Sequence, residues 1–336
     1  METKRLKTDK KGILAAADIL NNGGIVAIPT ETVYGLAASA LNDEAVKKIF
    51  IAKGRPQDNP LIVHVSDISD LEKIAVDIPK SAYTLARAFW PGPLTMVLKK
   101  GNAVCESVST GLDTVAIRMP SDKTALEVIK VSGLPLAAPS ANVSGAPSPT
   151  SYAHVLNDMD GKIDAVLLGE NCSVGVESTV ISLVGEKPRL LRPGAVTPEQ
   201  LREHLGEIVI DSAVLAEPEK GKAVASPGMK YKHYAPKKTV FLVEGDSDKY
   251  INFVNTKENA VAVCFEGEQD KITLKSVCYG DGENPETLAR NLFEILRALD
   301  GDETDAAYVH APNKSGVGLA VYNRLIRAAA FKVITL

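Results

Sequence analysis

Short apolar strand patterns alternate with amphipathic helix patterns along most of this chain. Residues 13–20 have helical spacing that stops at an Asn-Asn-Gly-Gly turn, and residues 24–29 form a short apolar run typical of a buried strand. Residues 43–52 again predict a helix. Strands that alternate with helices predict an α/β layer architecture. The density of short strands after residue 94 indicates a mixed rather than an all-parallel sheet.

The chain is long enough for two domains, and its pattern breaks between residues 212 and 238. At 336 residues it exceeds the size at which a single core usually stops growing, about 250–300 residues. We therefore predict a first domain over 1–211, a linker over 212–238 and a smaller α/β domain over 239–336. The linker contains the sequence KYKHYAP, which is too aromatic for a passive tether.

Composition and missing motifs weigh against several classes of protein. The net charge of −4 argues against a nucleic-acid scaffold, which normally carries a basic surplus. The four cysteines lie far apart without a C-x-x-C pair, so we expect reduced, buried thiols rather than metal ligands. The patterns GxxxxGK[ST], GxGxxG, HExxH and GxSxG do not occur. Any nucleotide site must therefore be built in another way.

Nothing in the sequence indicates export or membrane insertion. The charged stretch METKRLKTDK lacks the apolar core of a signal peptide. No apolar run approaches the roughly 20 residues of a transmembrane helix. We therefore expect a cytoplasmic protein with no membrane partner.

Hydroxyl and cationic side chains gather at the ends of predicted elements. The segment PTETVYG, residues 29–35, places two threonines after a strand, where ligands bind in open α/β sheets, although a simple turn is the plainer interpretation. Lys53 and Arg55 follow a helix, where they either complement its dipole in solvent or form a two-pronged phosphate clamp. His64 closes an apolar strand, either as a ligand or as a satisfied buried histidine.

The predicted strand at residues 114–118 carries an arginine in a core-like setting. Because alternate residues of a strand share a face, Thr114, Ala116 and Arg118 lie together, opposite apolar side chains. An arginine there needs a carboxylate, from the protein or from a ligand. Four cations thus stand at the ends of predicted elements: Lys53, Arg55, Arg118 and Arg192. Such a set indicates a pocket for a polyanion together with an amino-acid carboxylate.

Eight stretches of the sequence, in order from Gly23 to Pro236, carry a resemblance to a known family. They are GGIVAIPTETVYGL, AKGRPQDNPLIVHV, FWPGPLTMVL, TVAIRMP, LAAPSANVSGAPSPT, GVESTVIS, LLRPGAVT and PGMKYKHYAP. The sequence resembles the YrdC-domain family, specifically its two-domain threonylcarbamoyl-AMP synthases. The resemblance implies an N-terminal twisted mixed-sheet YrdC-like domain followed by a smaller Rossmann-like α/β domain.

The resemblance also implies a reaction. L-Threonine, bicarbonate and ATP would give threonylcarbamoyl-AMP and pyrophosphate, with Mg²⁺ on the phosphates of ATP. Such chemistry depends on positioning and charge stabilisation, so an absent acid–base pair is no objection. The product would pass to a downstream threonylcarbamoyl transferase that acts on tRNA, and direct RNA binding is a secondary expectation.

Individual residues take expected roles from the resemblance. The positions that match the threonine site are Thr32, His64, Arg118, Ala138 and Ser178. The positions that match the ATP site are Arg55, Asn59, Thr114, Ser140, Ser148, Arg192 and Tyr231. Lys53 and Arg55 form the family's KxR pair and are expected to act catalytically on the phosphates. Arg118 is expected to pair with the threonine carboxylate, and KYKHYAP to fold over the pocket as a lid.

Three alternatives stay open at this point. A carbamoyl-adenylating domain of the hydrogenase-maturation type resembles the same fold, but the zinc-finger cysteine spacing that accompanies it is missing. An RNA-binding protein is disfavoured by the acidic net charge. A degenerate homologue that binds nucleotide without catalysis is disfavoured by the joint presence of the four cations.

Overall fold

A twelve-stranded mixed sheet organises the first domain. The computed structural model describes residues 2–216, 234, 236 and 238–336. The strands are β1 (Lys4–Lys7), β2 (Val26–Ile28), β3 (Gly35–Ser39), β4 (Ile62–His64), β5 (Ala75–Val76), β6 (Leu94–Lys100), β7 (Thr114–Arg118), β8 (Leu136–Ala137), β9 (Ala165–Leu168), β10 (Thr179–Ser182), β11 (Arg189–Arg192) and β12 (Val209–Ile210). They lie in the order β1-β9-β2-β3-β8-β4-β7-β6-β10-β11-β12, with β5 paired to β6. Parallel and antiparallel pairs both occur, which confirms the mixed sheet.

Short helices cover this sheet. They are α1 (Lys10–Asn21), α2 (Asp43–Lys53), α3 (Leu71–Ile74), α4 (Lys80–Phe89), α5 (Glu106–Ser109), α6 (Lys123–Ser132), α7 (Tyr152–Met159) and α8 (Pro198–Leu205). Across the described part of the chain, no helix combines the length and the apolar character that crossing a bilayer requires.

Strand β3 is a feature that the sequence patterns did not predict. Its residues, Gly-Leu-Ala-Ala-Ser, are small and have weak strand propensity. The strand forms because it pairs antiparallel with β2 on one side and with β8 on the other. Residues 29–34 therefore become the connection between two central strands, which places their hydroxyl groups over the sheet. Strand β1 was also missed.

Helix α2 begins and ends at residues that define its bounds. The Asn42 side chain accepts a hydrogen bond from the backbone nitrogen of Ala45 at the start. Gly54 follows the last turn with a φ of 59°, a left-handed conformation that favours glycine. Lys53 thus stays on the helix, whereas Arg55 leaves in a new direction.

A five-stranded parallel sheet forms the second domain. Its strands are β13 (Thr239–Glu244), β14 (Ala260–Cys264), β15 (Lys275–Cys278), β16 (Ala306–His310) and β17 (Val333–Thr335), and its helices are α9 (Ser247–Val254), α10 (Pro285–Ala298) and α11 (Gly316–Ala328). The order β15-β14-β16-β13-β17 reads 3-2-4-1-5 within the domain. Dinucleotide-binding sheets are ordered 3-2-1-4-5-6. The likeness to a Rossmann fold therefore lies in the parallel, layered architecture.

The two domains share a buried interface. Val33 and Val176 of the first domain belong to the same apolar cluster as Phe293 and Tyr322 of the second. Arg297 of α10 forms an ion pair of 2.8 Å with Asp158 of α7; the Asp158 side chain is buried and that of Arg297 is half-buried. Strand β12 ends at residue 210 and β13 begins at residue 239, so the predicted linker lies between the two sheets. Most of that linker lies outside the described residues.

The cysteines are unpaired, but they are not all buried. Cys172 and Cys264 are buried, as expected, whereas Cys105 is half-buried and Cys278 is exposed. The expectation of four buried thiols is wrong at Cys278 because β15, which carries it, is an edge strand of the second sheet.

Gly175 sits where the second domain approaches the first. Its φ is 83°, and a Cβ atom there would lie 2.4 Å from the carbonyl oxygen of Ala289 and 2.4 Å from the Cα atom of Arg290. Gly111 has a similar φ of 86° with nothing within 4 Å of a built Cβ. We expect Gly175→Ala to lower the free energy of unfolding by about 3 kcal/mol and Gly111→Ala by about 1 kcal/mol, measured in urea. If both variants lose the same free energy of unfolding, the close packing at Gly175 does not contribute to stability.

Candidate active site

One cavity in the first domain gathers most of the predicted site residues. Its empty volume, including the part that is open to solvent, is about 750 Å³. The predicted residues that line it are Thr32, Lys53, Arg55, His64, Arg118, Ala138, Ser140, Ser148, Ser178 and Arg192. The sheet and its connecting loops therefore bring together residues that are up to 160 positions apart in the sequence.

Strand register aligns polar side chains along one row of the sheet. His64 on β4 is paired with Arg118 on the parallel strand β7. Thr95 on β6 is paired with Arg118 on the other side. Val180 on β10 is paired with both Thr95 and Arg192 on β11. Because paired residues share a face, a histidine, a threonine and two arginines from four strands lie above the same side of the sheet.

Arg118 has a protein carboxylate as its partner. One terminal nitrogen lies 2.7 Å from Oε1 of Glu31, an ion pair without hydrogen-bond alignment, and the other donates to Thr32 Oγ1 at 2.8 Å. Burial raises the pKa of Glu31, but the charge of Arg118 outweighs this effect and holds that pKa below its usual range. The sequence left open whether the carboxylate beside Arg118 comes from the protein or from a ligand. In the structure it comes from the protein, and its residue, Glu31, was not predicted.

The loop that carries Glu31 is shaped by Thr30. The Thr30 hydroxyl donates to the carbonyl oxygen of Val33 at 2.6 Å and accepts from the backbone nitrogens of Thr32 and Val33 at 3.2 Å. Such hydroxyl–backbone bonds fix a turn. The sequence left open whether this segment is a simple turn or part of a binding site. In the structure it is a turn that also forms a wall of the cavity.

His64 is buried and neutral. Burial, aided by the nearby charge of Arg118, lowers its pKa to about 3. Its Nδ1 lies 3.3 Å from the carbonyl oxygen of Ile62, which can only accept, so Nδ1 carries the proton. The other ring nitrogen, Nε2, is therefore an acceptor.

Lys53 is a buried cation held by backbone carbonyls. Its Nζ donates to the carbonyl oxygens of Ser140 and, at 2.6 Å, of Asn142. Burial, together with the charge of Arg55, holds the pKa of Lys53 well below its usual value. Because the side chain is 1% exposed, the interpretation of Lys53 as a solvent-exposed helix-end cation is wrong. Arg55 is half-buried and donates to the carbonyl oxygens of Asn59 and Pro60.

Arg192 and Ser178 form the opposite wall. Arg192 donates from Nε to the carbonyl oxygen of Ser178 at 3.0 Å and from a terminal nitrogen to its Oγ at 3.1 Å. The Ser178 hydroxyl also lies 2.8 Å from Thr95 Oγ1. Burial lowers the pKa of Arg192 to about 10, so the guanidinium stays charged at neutral pH.

Glu177 is a second buried carboxylate that the sequence did not reveal as a site residue. Its Oε1 accepts from the Ser148 hydroxyl at 2.5 Å, and its Oε2 accepts from Nε of Arg324, on α11, at 3.0 Å. Burial raises the pKa of Glu177, but Arg324 and Arg192 outweigh this effect and lower it. The carboxylate is therefore ionised and fully paired.

Three predicted residues are not gathered with the others. Thr114 lies at the far end of β7 from Arg118, four residues and roughly 13 Å along the strand. Asn59 is buried but does not line the cavity, and it touches Arg55 through its backbone carbonyl. Tyr231 lies outside the described residues, as does most of the predicted KYKHYAP lid. The assigned roles of these residues stay predictions.

One described residue of that segment does reach the cavity. Tyr234 lines it and is 5% exposed. Its ring lies 5.2 Å from that of Phe293 on α10, and burial raises the pKa of its hydroxyl. The sequence signal for Tyr234 was its place in the aromatic KYKHYAP segment, but no individual role was assigned to it.

The cavity is suited to binding anions rather than to moving protons. Cations surround it, its histidine is neutral, and its carboxylates are paired with arginines. Over residues 2–216 and 238–336, no three His, Cys, Asp or Glu side chains gather as they would around a metal ion. Preorganised positive charge of this kind can align anionic reactants and stabilise charge that develops during phosphoryl chemistry.

The buried His64 gives a stability effect of defined sign. Its folded pKa is about 3, against about 6.5 in the unfolded chain. Between these values the unfolded chain binds the extra proton, so stability is complete above about pH 6.5 and falls as the pH falls. Between pH 7 and pH 5, we expect the free energy of unfolding to fall by about 2 kcal/mol less in His64→Gln than in the wild type, as measured by urea unfolding. The exposed His204 offers a control, and His204→Gln should keep the wild-type response.

Comparisons with known proteins agree with this geometry. Residues 18–194 match the Sua5/YciO/YrdC family, described as telomere recombination, and residues 196–330 match the threonylcarbamoyl-AMP synthase C-terminal domain. The chain is 45% identical to the threonylcarbamoyl-AMP synthase of Pyrococcus abyssi, covering 98% of this chain and 97% of the relative. It is 44% identical to that of Bacillus subtilis, covering 99% and 97%.

A solved structure gives the same result for the fold. Pyrococcus abyssi Sua5 complexed with L-threonine superposes on the chain with a TM-score of 0.91 at 40% identity, with 100% of both chains covered. The chain therefore belongs to the Sua5/YciO/YrdC family and carries the C-terminal domain of its threonylcarbamoyl-AMP synthases.

Proposed function

We propose that this chain is an L-threonylcarbamoyladenylate synthase, a nucleotidyltransferase that acts on L-threonine, bicarbonate and ATP for the threonylcarbamoyladenosine modification of tRNA. The observation that carries the proposal is the convergence of four cations on one cavity: Lys53, Arg55, Arg118 and Arg192. The names of the relatives that match the whole chain, and the L-threonine in the structure of one of them, support it.

The proposed reaction has two steps. The threonine amine attacks the carbon of bicarbonate and water leaves, which gives N-carboxythreonine. An oxygen of the new carboxylate then attacks the α-phosphorus of ATP, the bond from that phosphorus to the bridging oxygen breaks, and pyrophosphate leaves. All three substrates carry negative charge, on the threonine carboxylate, on bicarbonate and on the phosphates of ATP, so the protein's task is to hold them together and to stabilise charge on the phosphates.

The part of the cavity around Arg118 suits the amino acid. Each terminal nitrogen of Arg118 has a second N–H beyond its contact with Glu31 or Thr32, so the guanidinium can still donate to a ligand carboxylate. His64 offers an acceptor nitrogen and Ser178 a hydroxyl, which suit an ammonium or hydroxyl group. We assign to L-threonine the residues Thr32, His64, Arg118, Ala138 and Ser178.

The remaining cations suit the triphosphate. Lys53 provides a compact charge and Arg55 a planar fork, two complementary ways of binding phosphate oxygens. We assign to ATP the residues Lys53, Arg55, Asn59, Thr114, Ser140, Ser148, Arg192 and Tyr231. Because Glu31 and Glu177 are both paired with arginines, the nearby carboxylates do not suit a resident metal ion. Mg²⁺ would enter on the phosphates of ATP.

The product determines the next partner. Threonylcarbamoyl-AMP is a mixed anhydride that hydrolyses readily, and enclosure by a lid would protect it from water. A threonylcarbamoyl transferase that acts on tRNA would consume it. Direct RNA binding is a secondary proposal, since the net charge of −4 gives the chain no basic surplus.

Release of pyrophosphate from MgATP tests the function directly. With bicarbonate present, we expect release that depends on L-threonine and that serine or valine at equal concentration does not support. The requirement for an amino acid follows because its amine must be carboxylated before ATP reacts. If no amino acid stimulates release, the chain is not a synthase, and salt-sensitive RNA binding without turnover would then favour the RNA-binding alternative.

The two ends of the cavity should respond separately to mutation. We expect Arg118→Ala to weaken L-threonine binding about tenfold or more while leaving ATP binding within about twofold, because a charged hydrogen-bond pair contributes about 1.5–3 kcal/mol. Arg55→Ala is the matched variant and should show the opposite selectivity. Calorimetry with each ligand measures both constants, and equal loss of both ligands in Arg118→Ala would remove the assignment.

A further inference from the structure

A fully buried arginine of the second domain reaches the wall of the cavity. Arg324 lies on α11, and its side chain is 0% exposed. It donates from Nε to the Glu177 carboxylate at 3.0 Å, from one terminal nitrogen to the Glu177 carbonyl at 3.2 Å, and from the other to the Pro193 carbonyl at 2.6 Å. A buried guanidinium with charged and neutral acceptors on several sides is held in one orientation.

The acceptors of Arg324 adjoin assigned substrate residues. Glu177 directly precedes Ser178, and Pro193 directly follows Arg192. The two segments are also joined to each other, since Arg192 donates to the carbonyl and hydroxyl oxygens of Ser178. The Arg324 side chain therefore connects the start of β10 to the end of β11, and these two strand ends form this wall of the cavity.

Glu177 also connects Arg324 to a third residue of the cavity, Ser148. The carboxylate oxygen that does not bind Nε of Arg324 accepts from the Ser148 hydroxyl at 2.5 Å. Two arginines, Arg324 and Arg192, keep Glu177 ionised in its buried position, and Arg324 has the larger effect, which its removal would abolish. The pKa of Glu177 would then rise, and its carboxyl group would lose the contact that fixes its position, so it would no longer hold Ser148 in its present orientation.

A second arginine holds the same segment from the other side. Arg297 of α10 donates to the carbonyl oxygen of Pro147 at 2.5 Å and to both carboxylate oxygens of Asp158. Pro147 directly precedes Ser148. The segment that carries Ser148 is thus bonded to the second domain both through its backbone and, by way of Glu177, through its side chain.

We propose that the second domain completes the nucleotide side of the cavity, with Arg324 as a positioning residue that acts through Glu177 on Ser148, Ser178 and Arg192. Arg324 is not among the residues that line the cavity, so it would act on a ligand there only through other residues. The inference rests on the proposed function, because it takes ATP as the ligand of Ser148 and Arg192. Linkage makes the effect reciprocal: docking of the second domain strengthens ATP binding, and ATP strengthens docking.

A mutant cycle separates positioning from general stability. Arg324→Ala and Ser148→Ala are made singly and together, and the KM for ATP is measured from threonine-dependent pyrophosphate release. We expect each single change to raise this KM, Arg324→Ala by about tenfold or more. The double variant should resemble Arg324→Ala alone, because Ser148 is already released when Arg324 is gone. Effects that multiply would mean that Arg324 does not act through Ser148, and would overturn the inference.

A control variant and a conservative variant complete the test. Arg290 crosses the same interface, to the carbonyl oxygen of Ser173, but its side chain is exposed and does not reach the cavity, so Arg290→Ala should keep the wild-type KM for ATP. Arg324→Lys keeps one cation beside Glu177 while losing the fork, and it should fold with a KM between those of the wild type and Arg324→Ala. If Arg324→Ala does not fold, Arg324→Lys decides: a wild-type KM for ATP in that variant would overturn the inference.

The two proposals fail in different ways. If the wild type releases no pyrophosphate with L-threonine, the proposed function fails and this inference fails with it. If the wild type turns over and Arg324→Ala has the same KM for ATP, only the inference fails.

Discussion

A charge that is buried in a protein needs a partner, and this requirement determines how the cavity is built. Arg118 is buried beside Glu31, and Arg324 is buried beside Glu177. Lys53 is held by backbone carbonyls instead, and the charge of Asp158 also acts on it. Each pairing fixes a loop to a strand or a helix. Since removing one member of a buried pair typically costs about 3–5 kcal/mol, these contacts also determine which loop conformations are stable.

The same contacts explain why the cavity is rigid enough for chemistry that depends on position. Arg118 and His64 lie on paired strands, so their separation is set by the sheet rather than by flexible loops. The loop with Glu31 is closed by the Thr30 hydroxyl. In a site that is preorganised in this way, the charges already point at the reacting groups, and little energy is lost in turning them during the reaction.

Much of this architecture could be predicted from the sequence, because periodic apolar patterns and element ends are local. The helix that ends at Lys53 and the strand that ends at Arg118 were predicted, and both side chains line the cavity. The partners could not be predicted in the same way. Glu31 and Glu177 lie 87 and 147 residues from the arginines they bind, and only the register of the sheet and the docking of α11 bring them together.

The balance of buried charge links ligand binding to the two-domain architecture. Lys53, Arg118 and Arg192 are buried with Arg324, while the described buried carboxylates among them are Glu31 and Glu177. Positive charge is therefore in excess. Burial disfavours the charged forms of Lys53 and Arg192 and lowers the pKa of each, and neighbouring cations add to this effect. A polyphosphate offsets that excess, so its binding strengthens with each cation that the fold keeps in place. Because one of those cations belongs to the second domain, that domain contributes to the field as well as to the geometry.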